Sequence, residues 1–113
     1  MVVNKKQHLI FKPWRPGKKM VIGHYGISVP DNDQTLIPDL IICPLLAYDS
    51  KGMRLGYGGG FYDRTIKYFR KNKQVKYIGL AFSGQKSYHD LPSEVHDVPL
   101  DAVLTETGMD YFQ

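Results

Sequence analysis

Residues 39–69, "DLIICPLLAYDSKGMRLGYGGGFYDRTIKYF", contain the patterns from which the fold class is predicted. This stretch opens on an unbroken apolar run at residues 40–43, which is typical of a central strand covered on both faces, and Pro44 is expected to end ladder pairing. From Phe61 onward, apolar side chains recur at helical spacing through Phe69, and "KNK" (residues 71–73) closes this helix. The stretch therefore predicts a strand, a glycine loop and a helix, in that order.

After this stretch, residues 75–83 predict a second core strand and residues 101–106 predict a third. A strand–helix–strand unit has a preferred handedness that favours a parallel sheet, so the predicted fold class is α/β. Upstream, we predict two short strands at residues 2–3 and 8–14, a turn at 15–19 and an irregular connection over 20–39. Residues 84–97 predict a polar loop with room for one short helical turn.

The composition limits the classes of function that are open to this chain but does not identify one. The 113 residues predict one domain (residues 1–113), and no apolar run approaches the ~18 residues of a membrane span. The net charge is +4, but the basic residues are dispersed. They fit either solvated faces and helix ends or an anion site, and no motif for nucleic-acid binding accompanies them. The single cysteine, Cys43, is expected to be a buried thiol in a reducing cytosol, so we expect a cytoplasmic protein without membrane or nucleic-acid partners.

The loop "RLGYGGGF" (residues 54–61) is the candidate binding site of this chain. Glycines permit positive φ and close approach to the backbone, and the first-turn amides and dipole of the following helix favour an anion such as phosphate. Arg54 can add a bidentate contact. The spacing matches neither the P-loop, because Gly60 is followed by Phe61, nor the dinucleotide fingerprint, which requires a glycine at position 61. A tight crossing without ligand is the structural alternative.

Asp63 falls in the first turn of the predicted helix, beside the proposed anion site. It would either cap the helix and offset its dipole or help a polyphosphate to hold Mg²⁺. Spacing alone leaves both roles open.

Residues 38–65, "PDLIICPLLAYDSKGMRLGYGGGFYDRT", resemble the 5-formyltetrahydrofolate cyclo-ligase (5,10-methenyltetrahydrofolate synthetase) family. The flanking stretches "LIFKPWRPG", "GLAFSGQ" and "LPSEVHDVPLDAVLTE" agree, so the resemblance covers essentially the whole chain. It implies a three-layer, Rossmann-like, mostly parallel sheet with helices on both faces. It also implies an enzyme that uses ATP and Mg²⁺ to convert 5-formyltetrahydrofolate to 5,10-methenyltetrahydrofolate.

The resemblance also assigns site residues. Arg54 is the implied catalytic residue, Asp63 and Asp101 are the implied metal carboxylates, and folate contacts are implied for Tyr57, Gly58, Gly59, Gly60 and Phe61. From the residues alone, Asp101 is an ordinary strand-start residue. His96-Asp97 also resembles a pair in the family, but we expect it to cap a loop or form hydrogen bonds. Trp14 and Tyr48 could stack on a flat ring, and we expect them to be packed side chains. The implied ATP contacts are Arg54, Leu55, Gly56, Tyr57, Gly58, Gly59, Gly60, Phe61 and Tyr62.

Compared with the family, we expect this chain to lack an N-terminal segment whose Lys/Arg cluster reaches the ATP phosphates and a glutamate that holds folate, so that it is either a fragment or a truncated or split protein. We expect the sheet to expose an apolar edge and face, and the isolated chain to turn over slowly or not at all unless a separate N-terminal half is supplied. Two alternatives stay open: a non-catalytic remnant that serves as a binding or assembly piece, and an unrelated phosphate or sugar-phosphate binder.

Overall fold

The described residues form one four-stranded sheet, two pairs of short antiparallel strands and one α-helix. The computed structural model describes residues 8–23, 26–31, 34–56, 60–71, 74–92 and 98–112. The helix, α1, spans Phe61–Phe69, and a short 3₁₀ turn spans Ser83–Gln85. The strands are β1 (Met20–Ile22), β2 (Ser28–Pro30), β3 (Leu40–Pro44), β4 (Ala47–Tyr48), β5 (Arg54–Leu55), β6 (Lys76–Leu80), β7 (Ala102–Thr105) and β8 (Gly108–Tyr111).

The central sheet has the order β3-β6-β7-β8. The β3–β6 and β6–β7 pairs are parallel, and β7–β8 is antiparallel. The α/β class and the parallel strand–helix–strand unit are therefore confirmed. The short β8 strand was not predicted. It forms because Gly108, at φ 125, lets the chain reverse directly after β7.

The predicted central position of β3 is wrong for the described residues, where β3 is an edge strand paired with β6 alone. One face of the sheet is buried: Ile41, Cys43 and Val103 pack in a core with Ile66 and Phe69 of α1. The opposite face is open, because Leu40 is 47% and Ile42 is 56% exposed. The unbroken apolar run therefore places side chains on both faces of the sheet, but only one face is buried. The apolar edge and face that we expected are present.

Two upstream predictions need correction. Residues 20–22 and 28–30 pair as the antiparallel strands β1 and β2 rather than forming an irregular connection, because β-branched Val21 and Val29 pair directly. The amide of Gly23 also donates to the carbonyl of Ile27 at 2.8 Å. The segment 8–14 is not a strand but makes an isolated antiparallel bridge, Phe11 to Leu36.

A contact with α1 explains why the segment 8–14 is not a strand. The amide of Leu9 donates to Oγ1 of Thr65 at 2.8 Å, so a helix side chain takes a backbone donor that a strand ladder would use. The predicted strand at residues 2–3 lies outside the described residues. Trp14, which we expected to be packed, is more than half exposed, whereas Tyr48 is buried as expected.

The turn at residues 15–19 is confirmed by the hydrogen bond from the amide of Lys18 to the carbonyl of Arg15 at 3.1 Å. The structure also contains, within its described part, no helix with the length and apolar character to cross a membrane.

Candidate functional site

The candidate site is built around Arg54, which β5 places at the carboxyl end of β3. Its side chain is only 5% exposed. Nη1 donates to the carbonyl of Pro44 at 3.3 Å and Nη2 to Oδ1 of Asp63 at 3.4 Å, and both distances are longer than in strong hydrogen bonds. Nε is buried with no hydrogen-bond partner among the described residues. The Tyr62 ring centroid lies 5.5 Å from Cζ. Arg54 is thus a nearly buried cation whose donors are only weakly satisfied.

Two of the loop glycines have an identifiable role in this arrangement. A Cβ at position 56 would lie 2.8 Å from Nη1 of Arg54, so a side chain there would require the guanidinium to shift. Gly60 is the N-cap of α1 at φ 70, a left-handed conformation that other residues rarely adopt, and it provides no side-chain cap. Tyr57, Gly58 and Gly59 lie outside the described residues.

Asp63 lies in the first turn of α1 and is about half exposed. Its carboxylate complements the positive end of the helix dipole and is the described acid that contacts Arg54. Both roles left open by the sequence, dipole partner and cation ligand, remain compatible with this position.

Asp101 lies at the other end of the strands. Its Oδ2 accepts from the amide of Tyr77 at 2.7 Å, and its own amide donates to the Tyr77 carbonyl at 2.9 Å. Arg54 instead contacts Pro44, which pairs with Leu80. Leu80 lies three residues beyond Tyr77, which corresponds to about 10 Å along the strand. The register therefore does not bring Asp101 to Arg54.

No cluster of three or more His, Cys, Asp or Glu side chains forms within the described ranges. His96-Asp97 falls outside those ranges. The assignment of Asp63 and Asp101 as metal carboxylates stays a prediction.

Asp49 is a structural anchor of the site that the sequence reasoning did not single out. It is 1% exposed, and its Oδ1 accepts from the amides of Lys51 and Met53 at 2.9 and 3.0 Å. Its Oδ2 accepts from the amide of Leu91 at 2.9 Å. One carboxylate thus closes the turn that leads into Arg54 and fastens residue 91 to it. The available signal was an aspartate directly before the turn "SKG", a pattern typical of Asx turns.

A second missed group lines the same carboxyl edge of the sheet. The amide and hydroxyl of Ser83 donate to the Glu106 carboxylate at 2.6 and 2.8 Å, and these hydrogen bonds hold the pKa of Glu106 below its usual value. Nε2 of Gln85 donates to the carbonyls of Leu45 and Leu46 at 3.1 and 3.2 Å. The 3₁₀ turn that follows β6 is therefore tied both to the end of β7 and to the segment after β3. The stretch "GLAFSGQ" contained these residues, but nothing in their spacing marked them.

A separate groove of about 1020 Å³ runs along α1, between the helix and the segments 8–11 and 35–37. His8 stacks on Tyr68 there with ring centroids 3.5 Å apart. Of the described residues of the loop, 54–56 and 60 do not line this groove, so Arg54 lies on a different surface.

Cys43 lies in the core and is fully buried, as expected. Burial raises the pKa of its thiol from 9.0 to about 11, and the nearby Arg54 cation partly opposes this rise. The thiol is therefore protonated and shielded in the folded state.

This burial predicts an alkaline loss of stability. Because the folded pKa is raised, the thiol's contribution is fully present below pH 9.0 and is lost as the pH rises towards about 11. The loss should reach at most about 3 kcal/mol, and a thiol-labelling reagent at pH 8 should react at the rate of unfolding. Urea titrations of the wild type and Cys43→Ala between pH 8.5 and 10.5 would measure it. Parallel pH profiles for the two proteins would contradict the assignment.

A sequence model of the 5-formyltetrahydrofolate cyclo-ligase family matches residues 3–106. The 5-formyltetrahydrofolate cyclo-ligase of Haemophilus influenzae is 41% identical over 104 residues, which cover 88% of this chain and 54% of the relative. That of Escherichia coli K12 is 38% identical over 103 residues, covering 87% and 56%.

A solved structure of a 5,10-methenyltetrahydrofolate synthetase from Mycoplasma pneumoniae superposes with a TM-score of 0.55 at 32% identity, covering 68% of this chain and 46% of that one. The chain spans about half the length of the curated relatives it matches. Because the family model matches residues 3–106 and the Haemophilus influenzae relative is 41% identical over 88% of this chain, the chain belongs to the 5-formyltetrahydrofolate cyclo-ligase family.

Proposed function

We propose that this chain carries the phosphate- and folate-binding loop of an ATP- and Mg²⁺-dependent 5-formyltetrahydrofolate cyclo-ligase. The observation that carries the proposal is Arg54, a nearly buried cation with an unsatisfied Nε, held beside the N-terminus of α1. A buried guanidinium with unfilled donors is an anion site, and the helix N-terminus adds to it. On the basis of family membership, we identify this anion as the triphosphate of ATP.

In this reaction ATP phosphorylates the formyl oxygen of 5-formyltetrahydrofolate, N10 attacks the activated carbon, and loss of phosphate yields 5,10-methenyltetrahydrofolate. Arg54 would neutralise charge on the transferred phosphoryl group, while the amides at the start of α1 orient its oxygens. Mg²⁺ supplies further charge neutralisation when bound, and Asp63 would hold it, because its half-exposed carboxylate lies in the first turn of α1 beside the proposed phosphate site. The role of Asp101 as a second metal carboxylate belongs to the same proposal, with less support from its position.

We assign the ATP contacts to residues 54–62 and the folate contacts to residues 57–61. The loop follows the carboxyl end of β3, and open α/β sheets bind their ligands outside the carboxyl ends of their strands. A three-layer arrangement with helices on both faces and a cytoplasmic location complete the proposal. The reduced, buried Cys43 is consistent with that location.

The test is ATP-dependent formation of 5,10-methenyltetrahydrofolate, followed by absorbance. The chain alone should turn over slowly or not at all, and adding the part of the Haemophilus influenzae relative outside its match with this chain should raise the rate. Rapid turnover by the isolated chain would remove the need for a second half. If the paired halves associate yet form no product, the catalytic proposal fails.

One observation favours a second function. The open sheet face suits a binding or assembly piece that keeps the fold without catalysis. A chain that associates through this face but shows no Mg·ATP binding by calorimetry, alone or in the complex, would support that alternative.

A further inference from the structure

We infer that Arg64 is a second arginine of the glycine loop, a positioning residue that fixes Phe61 and the loop end for the folate substrate. The inference rests on the proposed function, because Phe61 is one of the residues to which we assign the folate contacts. It extends that function by giving a role to a residue to which neither the loop spacing nor the family resemblance assigned one.

The side chain of Arg64 folds back over the start of α1. Its Cζ lies 4.9 Å from the centroid of the Phe61 ring. A Cβ at position 60 would lie 2.7 Å from Nη1 of Arg64, so the guanidinium also packs against the backbone of Gly60. Side chains in a helix lean towards its N-terminus, which explains how a residue one turn into α1 reaches the N-cap. These contacts leave Arg64 half-buried.

Arg54 makes the same two kinds of contact at the other end of the loop. A Cβ at position 56 would lie 2.8 Å from its Nη1, and its Cζ lies 5.5 Å from the centroid of the Tyr62 ring. Each guanidinium therefore lies against one glycine of the segment 56–60 and against one ring in the first turn of α1. Since Gly60 provides no side-chain cap to α1, we assign the fixing of this junction to the two arginines.

Helix electrostatics does not account for an arginine at this position. The N-terminal end of a helix carries a partial positive charge, so the dipole opposes a cation there, whereas it favours Lys67 in the last turn. The contact with the Phe61 ring compensates, because the face of an aromatic ring attracts a cation. The contacts of Arg64 with Phe61 and Gly60 are therefore the reason that we infer for an arginine here.

The contact matters for binding because it orders the Phe61 ring before the substrate arrives. Phe61 is the first residue of α1 and is half-buried. A guanidinium on the ring restricts its rotamers, and ordering a side chain in advance lowers the entropic cost of binding. The pterin of the folate contains a planar ring that can stack on an aromatic side chain, whereas the triphosphate of ATP binds through amides and Arg54. We therefore expect Arg64 to affect folate binding and not nucleotide binding.

The experiment titrates the full chain by calorimetry with 5-formyltetrahydrofolate and, separately, with Mg·ATP. Arg64→Ala should weaken the binding of 5-formyltetrahydrofolate about tenfold, which corresponds to one side chain that is no longer ordered in advance, and change that of Mg·ATP by less than about twofold. Arg64→Lys should recover most of the loss, since an ammonium group can also lie over the ring. Arg70→Ala is the matched control, because it removes an exposed arginine at the C-cap of the same helix, and it should leave both affinities unchanged. Circular dichroism checks that each variant keeps its fold.

A double-mutant cycle separates positioning from a general structural effect. If Arg64 acts through Phe61, Arg64→Ala should have no further effect on folate binding in a Phe61→Leu background. The inference is overturned if Arg64→Ala binds 5-formyltetrahydrofolate as tightly as the wild type, if the two substitutions act additively, or if binding of Mg·ATP weakens equally. It is also overturned if the wild type binds Mg·ATP but not 5-formyltetrahydrofolate, and the proposed phosphate loop would then stand. A wild type that binds the folate with the expected coupling but does not bind Mg·ATP would support this inference and count against the proposed ATP chemistry alone.

Discussion

Asp49→Ala is expected to lower the free energy of unfolding by about 3–5 kcal/mol, because three backbone amides in partly buried hydrogen bonds lose their acceptor at once. The carboxylate is 1% exposed and receives hydrogen bonds from residues 51, 53 and 91. A small domain has a total stability of roughly 5–15 kcal/mol, so this loss is a large fraction of the total. Urea denaturation followed by circular dichroism measures the change.

Asp90→Ala is the matched control. It removes the same charge from the segment that Asp49 fastens, but the Lys51–Asp90 ion pair, at 2.8 Å, is exposed on both sides. Its loss should cost at most about 1 kcal/mol. Asp49→Asn should fall between the two, because one amide oxygen can still serve residues 51 and 53 while the NH₂ group faces the amide of Leu91. A stability of Asp49→Ala within 1 kcal/mol of the wild type would show that the turn finds other acceptors.

Asp49 also illustrates why part of the fold was predictable and part was not. The parallel β3–α1–β6 unit followed from local patterns: an apolar run, a glycine loop and helical spacing that buries Ile66 and Phe69. Those patterns report the burial of a side chain but not its partner. The hydrogen bond of Asp49 to Leu91 joins residues 42 positions apart, and periodicity carries no information about it.

The same limit explains the two errors in the strands. The run at residues 40–43 was interpreted as fully covered, but apolar character shows only that a face favours burial, and here the alternate residues Leu40 and Ile42 are exposed. The segment 8–14 had strand composition, yet Thr65 of α1 takes the Leu9 amide. In both cases the structure depends on contacts between residues distant in sequence. Such a contact is present between Thr65 and Leu9, whereas the contacts that would bury Leu40 and Ile42 are absent among the described residues.

For the site, the sequence predicted the residue types and their order but not their environment. That Arg54 precedes the glycines is visible in the sequence, whereas its burial and its unsatisfied Nε are not. In the sequence, Gly56 was grouped with the other loop glycines. The structure shows a separate reason for a glycine at this position, because Nη1 of Arg54 lies close to its backbone. Ser83 and Gln85 carried no signal, because their roles depend on how the ends of three strands meet.

Arg54→Ala is expected to lower the turnover of the paired halves by about 10³-fold, in the range seen when an arginine that stabilises a transferring phosphoryl group is removed. Binding of Mg·ATP should weaken less, by about tenfold, since the guanidinium contributes most where charge develops during transfer. Arg54→Lys should recover little activity, because an ammonium keeps the charge but not the planar fork that fits phosphate oxygens. Steady-state turnover and calorimetry, measured on the same preparations, separate the two effects.

Gly56→Ala tests the geometry without removing the charge. Its Cβ would lie 2.8 Å from Nη1 and would displace the guanidinium, so turnover should fall between those of the wild type and Arg54→Ala. Arg70→Ala, at the C-cap of the same helix, removes an exposed cation of the same kind and should leave turnover unchanged. If Arg70→Ala and Arg54→Ala reduce turnover equally, the effect is one of overall charge. If Arg54→Ala folds normally and turns over at the wild-type rate, the anion lies elsewhere and the buried guanidinium has a structural role, as its contact with Pro44 would then imply.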